Sequence, residues 1–387
     1  MNILTKLYLR LSMFKLFISI TIYFSFIFIS YADHGPKKMW KRQIKPYFSV
    51  HETKKFGPFK INIHSYGKKQ NLDSINFKKE NYDNIFKDKN NLAALIRKNN
   101  DLVYARFNKK RNIDSNTILH GMSMAKTALS TAIGSLVCNG KIESLDDELG
   151  KYSPSLKQTP YSKITIRNTL QMNSGVAPIQ NDYKLRRKMN QMAMGMRKYE
   201  GKASMLKAIS ILKGNDREQG SKHFYFSSDP FALSIMITDL TNKPASQIFY
   251  ENAFKKFSKN KFMHWVSDKK GITVAQARLT MSALDWSNFG QFIHDEMIND
   301  TCLGKFYKEG IENAVETKRD GVRYGYQFWV YEVNGVPTLT MTGHGGFFNV
   351  INTTKNTILT MFSVDEKYKY GNLFKKGVVS KIVEEIN

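Results

Sequence analysis

The stretch GMSMAKTALSTAIGSLVCNGKI, residues 121–142, decides how the rest of the chain is read. Ala125, Ala128, Leu129, Ala132, Ile133, Leu136 and Val137 recur at helical spacing and predict a helix with a broad apolar face. Asn139-Gly140 stops it, because a left-handed glycine commonly follows a helix end. Ser123 falls in the first turn and Lys126 three residues later, a spacing that puts both side chains on one face. A serine hydroxyl is a poor nucleophile until its proton is removed. An amine can remove it only when neutral, and burial favours the neutral amine. A helix N-terminus also favours negative charge developing near the serine. The plain alternative is a lysine snorkelling off a core helix. Spacing alone does not choose, since Ser-x-x-Lys also begins at Ser12, Ser65, Ser204, Ser210, Ser258 and Ser267.

Context separates Ser123 from those repeats. Residues 91–108, NLAALIRKNNDLVYARFN, predict two strands joined by the turn Lys98-Asn99-Asn100-Asp101. Residues 145–310 read as mainly helical and turn-rich. In SSDPFALSIMITDLTNK, Asp229 is placed to cap a helix and Pro230 fits its first position. SALDWSNFGQFIHDEM, residues 282–297, is a second amphipathic helix. Beyond it, RYGYQFWVYEV, VPTLTMTG, FFNVINTT and NTILTMFSV read as a strand meander. Asn334-Gly335, the glycines at 343–346 and Lys355-Asn356 punctuate it. Residues 372–386 read as a closing helix. Strands at both ends with helices between predict an α+β fold. Its antiparallel sheet is formed from the N- and C-terminal segments, flanked by helices, with a mostly helical insertion at about 145–310.

The chain has 387 residues and 42% hydrophobic content, enough for a large core. Its net charge of +26 fits nucleic acid, an anionic membrane or an anionic cell-wall surface. The lysines are spread along the whole chain and no nucleic-acid-binding pattern accompanies them, so no nucleic-acid partner is expected. A cell-wall or membrane-surface association stays open. Lys6, Arg10 and Lys15 precede an uncharged apolar run from Leu16 to Ile29, and Ser30-Tyr31-Ala32 supplies small residues before Asp33. That is a signal-peptide pattern for residues 1–32, with cleavage after Ala32 and export to the periplasm. An uncleaved anchor is the competing reading. Residues 33–90 read as a polar N-terminal arm, and 91–387 as one domain. Two cysteines are present, Cys138 and Cys302. Cys138 on the apolar helix reads as a buried free thiol, with a disulfide to Cys302 as the alternative.

Two further segments carry chemistry. FYFSSDP places Tyr225 and Ser227 just before a helix, and a tyrosine there can relay a proton. GHGGFFNV, residues 343–350, clusters glycines around His344, where backbone N–H groups can approach a substrate closely. The plain readings are an ordinary loop aromatic and a hairpin turn. The eight histidines are scattered, with none paired at helix spacing with a carboxylate, so neither metal nor cofactor is expected.

The order of SMAK, YFS and HGG resembles that of the serine β-lactamase and penicillin-binding-protein superfamily. The flanking HGMSMAKTALSTAIGSLVCNGKIESLDDELGKYSPSL, ITIRNTLQMNSGV and YGYQFWV look like its class C-type branch. They are most similar to 6-aminohexanoate-dimer hydrolases and related carboxylesterases, over roughly residues 90–387. The resemblance implies an exported serine hydrolase acting on a small-molecule or peptide-like substrate. Ser123 would be acylated, with Lys126 in the proton network and Tyr225 as general base and then acid. Ser227 would orient the lysine or the substrate amide. The Ser123 and Phe347 backbone N–H groups would form the oxyanion hole, next to Gly345 and Gly346. His344 stands where relatives often carry a lysine that meets a substrate carboxylate, and nothing resembles the deacylation glutamate of class A enzymes. Hydrolysis of an ester or linear amide is therefore expected ahead of β-lactam hydrolysis. A D-amino-acid peptidase, a penicillin-binding carboxypeptidase and a non-catalytic cell-wall-binding descendant are the alternatives.

An α/β-hydrolase is the rival fold. Gly121 to Ala125 nearly matches Gly-x-Ser-x-Gly, and Asp320 and His344 follow in acid-then-histidine order. Against it, the fifth position is alanine, HGG follows the nucleophile, and strands and helices do not alternate along the chain.

Overall fold

The computed structural model describes residues 62–72, 88–176, 183–195, 197–199, 201–212, 217–365 and 377–385, with short pieces at 55–56 and 59–60 and single residues 82, 86 and 214. The expected signal peptide, and most of the expected arm, lie outside the described residues.

The strands in chain order are β1 (Asn62–Tyr66), β2 (Asn91–Lys98), β3 (Asp101–Phe107), β4 (Ile118–His120), β5 (Met263–Ser267) and β6 (Leu279–Ser282). They continue with β7 (Val322–Tyr324), β8 (Trp329–Val333), β9 (Val336–Gly343), β10 (Phe347–Asn352) and β11 (Thr357–Ser363). The principal helices are α1 (Ala125–Cys138), α2 (Tyr183–Met194), α3 (Ser228–Thr241), α4 (Ala283–Ile298), α5 (Cys302–Glu312) and α6 (Val378–Glu385).

The large sheet has eight strands in the order β3-β2-β11-β10-β9-β8-β7, closed at the edge by Val315–Glu316. All its pairings are antiparallel. The N- and C-terminal segments meet where β2 lies beside β11, with Leu95 opposite Thr360. The predicted α+β sheet built from both chain ends is thus the observed one. Local chemistry makes its hairpins: Asn99 and Asn100 at the β2–β3 turn take φ of 46° and 72°, and Asn334-Gly335 takes 53° and 73°. These are left-handed values that asparagine and glycine tolerate best.

Helices cover both faces of the sheet. One side carries α6, whose Val379, Ile382 and Val383 are buried with Tyr104, Phe348 and Met361. The other carries α4, packed on β2, β10 and β11. Behind α4 the main core takes in α1, whose Leu129 and Ile133 are fully buried. Each such side chain contributes roughly 1.5–3 kcal/mol by leaving water.

Three local readings change. Residues 145–310 are mainly helical, as read, but two strands within them went unread. MHWVS and LTMS become β5 and β6, which join β1 and β4 in a four-stranded sheet of order β1-β5-β6-β4. Both segments are buried on both faces, so they lack the alternation that marks a half-exposed strand. Asp229 does not cap α3; Ser227 holds the N-cap position and Asp229 is buried inside the first turn. Cys138 is not a free thiol. It bonds to Cys302 with Cα atoms 5.8 Å apart, joining the end of α1 to the start of α5, within the span a disulfide requires. Two helix ends 164 residues apart in sequence meet only through tertiary packing.

Candidate active site

Ser123 sits in a 3₁₀ turn, Met122–Met124, between β4 and α1. Packing from two sides fixes this turn. A Cβ on Gly121 would lie 2.0 Å from the ring of Trp286, and one on Gly343 would lie 2.5 Å from the Gly121 carbonyl oxygen. Glycine is thus required where the end of β9 crosses the serine turn. The Met122 backbone takes φ of 49°, and its N–H donates to His120 Nδ1 at 2.7 Å. Burial holds the fully enclosed His120 well below the usual histidine range, with Arg278 acting in the same direction. The ring is therefore neutral, accepting at Nδ1 and carrying its proton on Nε2. Within the turn, Met124 N–H binds Gly121 O, and Ala125 N–H binds the Met122 and Ser123 carbonyls. The Ser123 N–H takes no part in those bonds.

Lys126 is 3% exposed. Its Nζ donates to Ser123 Oγ at 3.0 Å and to the Gln276 carbonyl, from the β5–β6 connection, at 2.6 Å. Nζ also lies 4.9 Å from the centre of the Tyr225 ring. Tyr225 stacks on Trp329 at 5.3 Å and meets Tyr324 edge-on at 5.7 Å. A serine, a buried lysine and a tyrosine from segments 100 residues apart thus converge. Tyr225 meets Lys126 ring to amine.

The remaining expected residues are placed less tightly. Ser227 is half-buried at the head of α3, and no hydrogen bond joins it to Lys126 among the described residues. His344 is exposed in the β9–β10 turn. Gly345 and Gly346 take φ of 101° and 89°, which residues with a Cβ rarely adopt. Phe347 pairs with Gly343 across that turn, and its side chain is buried against Phe362. The acid–histidine pair of the rival hydrolase does not form: no hydrogen bond links Asp320 to His344 among the described residues, and the sheet is antiparallel.

Sequence reading missed three features. His120 and the Gln276 carbonyl hold the serine turn and the lysine, and a single histidine or one peptide carbonyl leaves no pattern to read. The third is the buried Asp229 carboxylate, which accepts from Tyr161 Oη at 2.6 Å and Ser174 Oγ at 2.8 Å. Those residues come from two loops that only the fold brings to α3.

The geometry brings a serine hydroxyl and a buried lysine amine into contact, and comparison with known proteins supplies the family. Residues 83–372 match the family model described as beta-lactamase. The chain belongs to the β-lactamase family. Solved structures of similar fold include a protein described as a 6-aminohexanoate-dimer hydrolase from Bacillus anthracis, with a TM-score of 0.72 and 18% identity over 88% of this chain and 94% of that one. A D-stereospecific amidohydrolase from Streptomyces sp. superposes with a TM-score of 0.56 at 16% identity, over 74% and 93% of the two chains. A family VIII carboxylesterase gives 0.57 at 14% identity, over 74% and 90%. No curated protein matches the sequence. The β-lactamase family is one of serine hydrolases, and the chain is a hydrolase of that family.

Proposed function

We propose that this protein is an exported serine hydrolase that cleaves an ester or a linear amide through an acyl-enzyme on Ser123. The observation that carries the reading is the 3.0 Å contact between the buried Lys126 amine and the Ser123 hydroxyl. Lys126 takes the Ser123 proton as Oγ bonds to the substrate carbonyl carbon. The Ser123 N–H, outside the bonds of its own turn, faces the oxygen that becomes negative, with the Phe347 N–H proposed as the second donor. The carbon–oxygen or carbon–nitrogen bond then breaks, and the departing alcohol or amine takes a proton from Tyr225. Water cleaves the acyl-enzyme by the reverse proton path. An exposed histidine replaces the usual lysine of the third motif, so a β-lactam carboxylate has no fixed cation there, and esters and linear amides are preferred. Export is supported by the N-terminal charge-then-apolar pattern and by the Cys138–Cys302 disulfide, since such bonds persist in oxidising compartments.

Intact mass after treatment with a fluorophosphonate tests this on the protein isolated from its host. One adduct is expected on the wild type and none on Ser123→Ala or Lys126→Ala. The unlabelled mass reports whether residues 1–32 have been removed. A folded wild type that takes no adduct would overturn the reading in favour of a binding protein.

A further inference from the structure

A second cluster surrounds Tyr225, and the proposed chemistry does not use it. Phe224 and Phe226 stack on each other at 5.9 Å, while the Tyr225 ring stacks on Trp329. Cations cover these rings. The Arg217 guanidinium lies 5.1 Å from the Phe224 ring centre and Lys318 Nζ 6.0 Å from the same ring. Arg319 lies 4.1 Å from the Trp329 ring centre. Arg186 lies 4.9 Å from the Phe226 ring centre and donates to the Tyr225 carbonyl at 2.7 Å. Tyr225 is therefore flanked by Lys126 at its ring and by Arg186 at its backbone. The cations come from α2, from the loop before Tyr225 and from the loop before β7, three segments that only the fold assembles.

Like charges gathered this way repel, and in a partly desolvated setting the repulsion is not fully screened. Cation–π contact offsets part of it. Arg186, Lys318 and Arg319 form no ion pair among the described residues, although Glu218 and Asp320 occupy the same loops. A buried histidine ring packs against the same aromatic residues. His223, packed on Tyr324 and Trp329, is driven down to about 4 by burial and then by Arg319 and Arg217. A guanidinium carries five N–H donors in one plane, more than the single bond of Arg319 to Tyr331 Oη at 3.5 Å uses, and that fork matches a carboxylate.

We propose that this aromatic and cationic strip is a subsite for an anionic group, a carboxylate, on the leaving-group side of the substrate. The assignment rests on the proposed Ser123 chemistry, in which Tyr225 protonates the leaving group. It supplies from the Tyr225 side the cation that the third motif lacks.

A matched ester pair tests it. The butyrate esters of 4-hydroxybenzoate and 4-hydroxybenzamide share an acyl group and differ in leaving-group charge. Wild type is expected to favour the anionic ester at least tenfold in kcat/KM, mostly through KM, and to lose that preference as sodium chloride rises. Lys318→Gln, Arg319→Gln and the double variant change exposed side chains, and each should bring the ratio toward one. Lys318→Glu with Arg319→Glu should invert it. Equal kcat/KM for the two esters in wild type, or a preference that survives the double variant, overturns the subsite. Failure of the catalytic reading is separate, because it shows as a wild type with no fluorophosphonate adduct.

Discussion

His120 shows how much can rest on one neutral ring. Its Nδ1 takes the N–H of a residue whose φ is 49°, one step before Ser123, the proposed nucleophile. Removing the ring leaves that partly buried N–H without its acceptor, at a cost of about 1 kcal/mol, and frees the turn to relax. Small displacements of a nucleophile cost rate steeply, so His120→Ala should slow fluorophosphonate acylation roughly ten- to a hundredfold. His120→Asn, whose Oδ1 overlays Nδ1, should recover most of it. Acylation of His120→Ala at the wild-type rate would refute the positioning role. Asp229 is the second residue with leverage. Burial raises its carboxyl to about 7, against the hydrogen bonds from Tyr161 and Ser174 that favour the ion. The folded protein thus holds this proton more tightly than the unfolded chain. Its contribution to stability is complete below about pH 4 and is lost as pH rises through about 7. Asp229→Asn keeps the shape and cannot ionise. Its melting temperature should therefore gain on wild type between pH 5 and pH 8, by an amount reflecting a few kcal/mol at most. A gap that stays constant across that range would show that Asp229 is ionised throughout.

Among the elements, α1 has Lys126 in its first turn, directly after the Ser123 turn, and a covalent tether at its other end. The Cys138–Cys302 bond closes a loop of 164 residues that contains the Tyr225 segment and the β5–β6 connection holding Lys126. In the chain-entropy account a closure of that length stabilises by about 4–5 kcal/mol. Reduction, or the Cys138→Ser and Cys302→Ser pair, should lower the melting temperature by several degrees. The serine turn should remain intact at 25 °C, because Gly121, Trp286 and Gly343 fix it without the bond. Calorimetry of oxidised and reduced protein decides, and coincident transitions would remove the tether from the stability account. The two small-sheet strands in the same loop teach a related point. β5 and β6 are buried on both faces, so no alternation marked them, whereas β8 to β11 were separated by turn residues that need no tertiary partner to act.

At the scale of the whole molecule, the N- and C-terminal strands close one sheet, with the mainly helical segment inserted between them. The sequence by itself determined the parts governed by local physics. These were the apolar face of α1, the asparagine and glycine turns, the meander of the C-terminal third, and the closeness of Ser123 and Lys126, three residues apart. Periodicity and backbone preference act over a few residues, so they can be read from a few residues. Tertiary structure alone decided the rest. It paired Cys138 with Cys302, made strands of β5 and β6, set the neutral His120 beneath Met122 and buried Asp229 among two foreign loops. It also gathered four cations from three segments onto the rings beside Tyr225. Each of these depends on which surfaces pack together over separations of tens to hundreds of residues, and burial, charge proximity and covalent pairing exist only once that packing has formed.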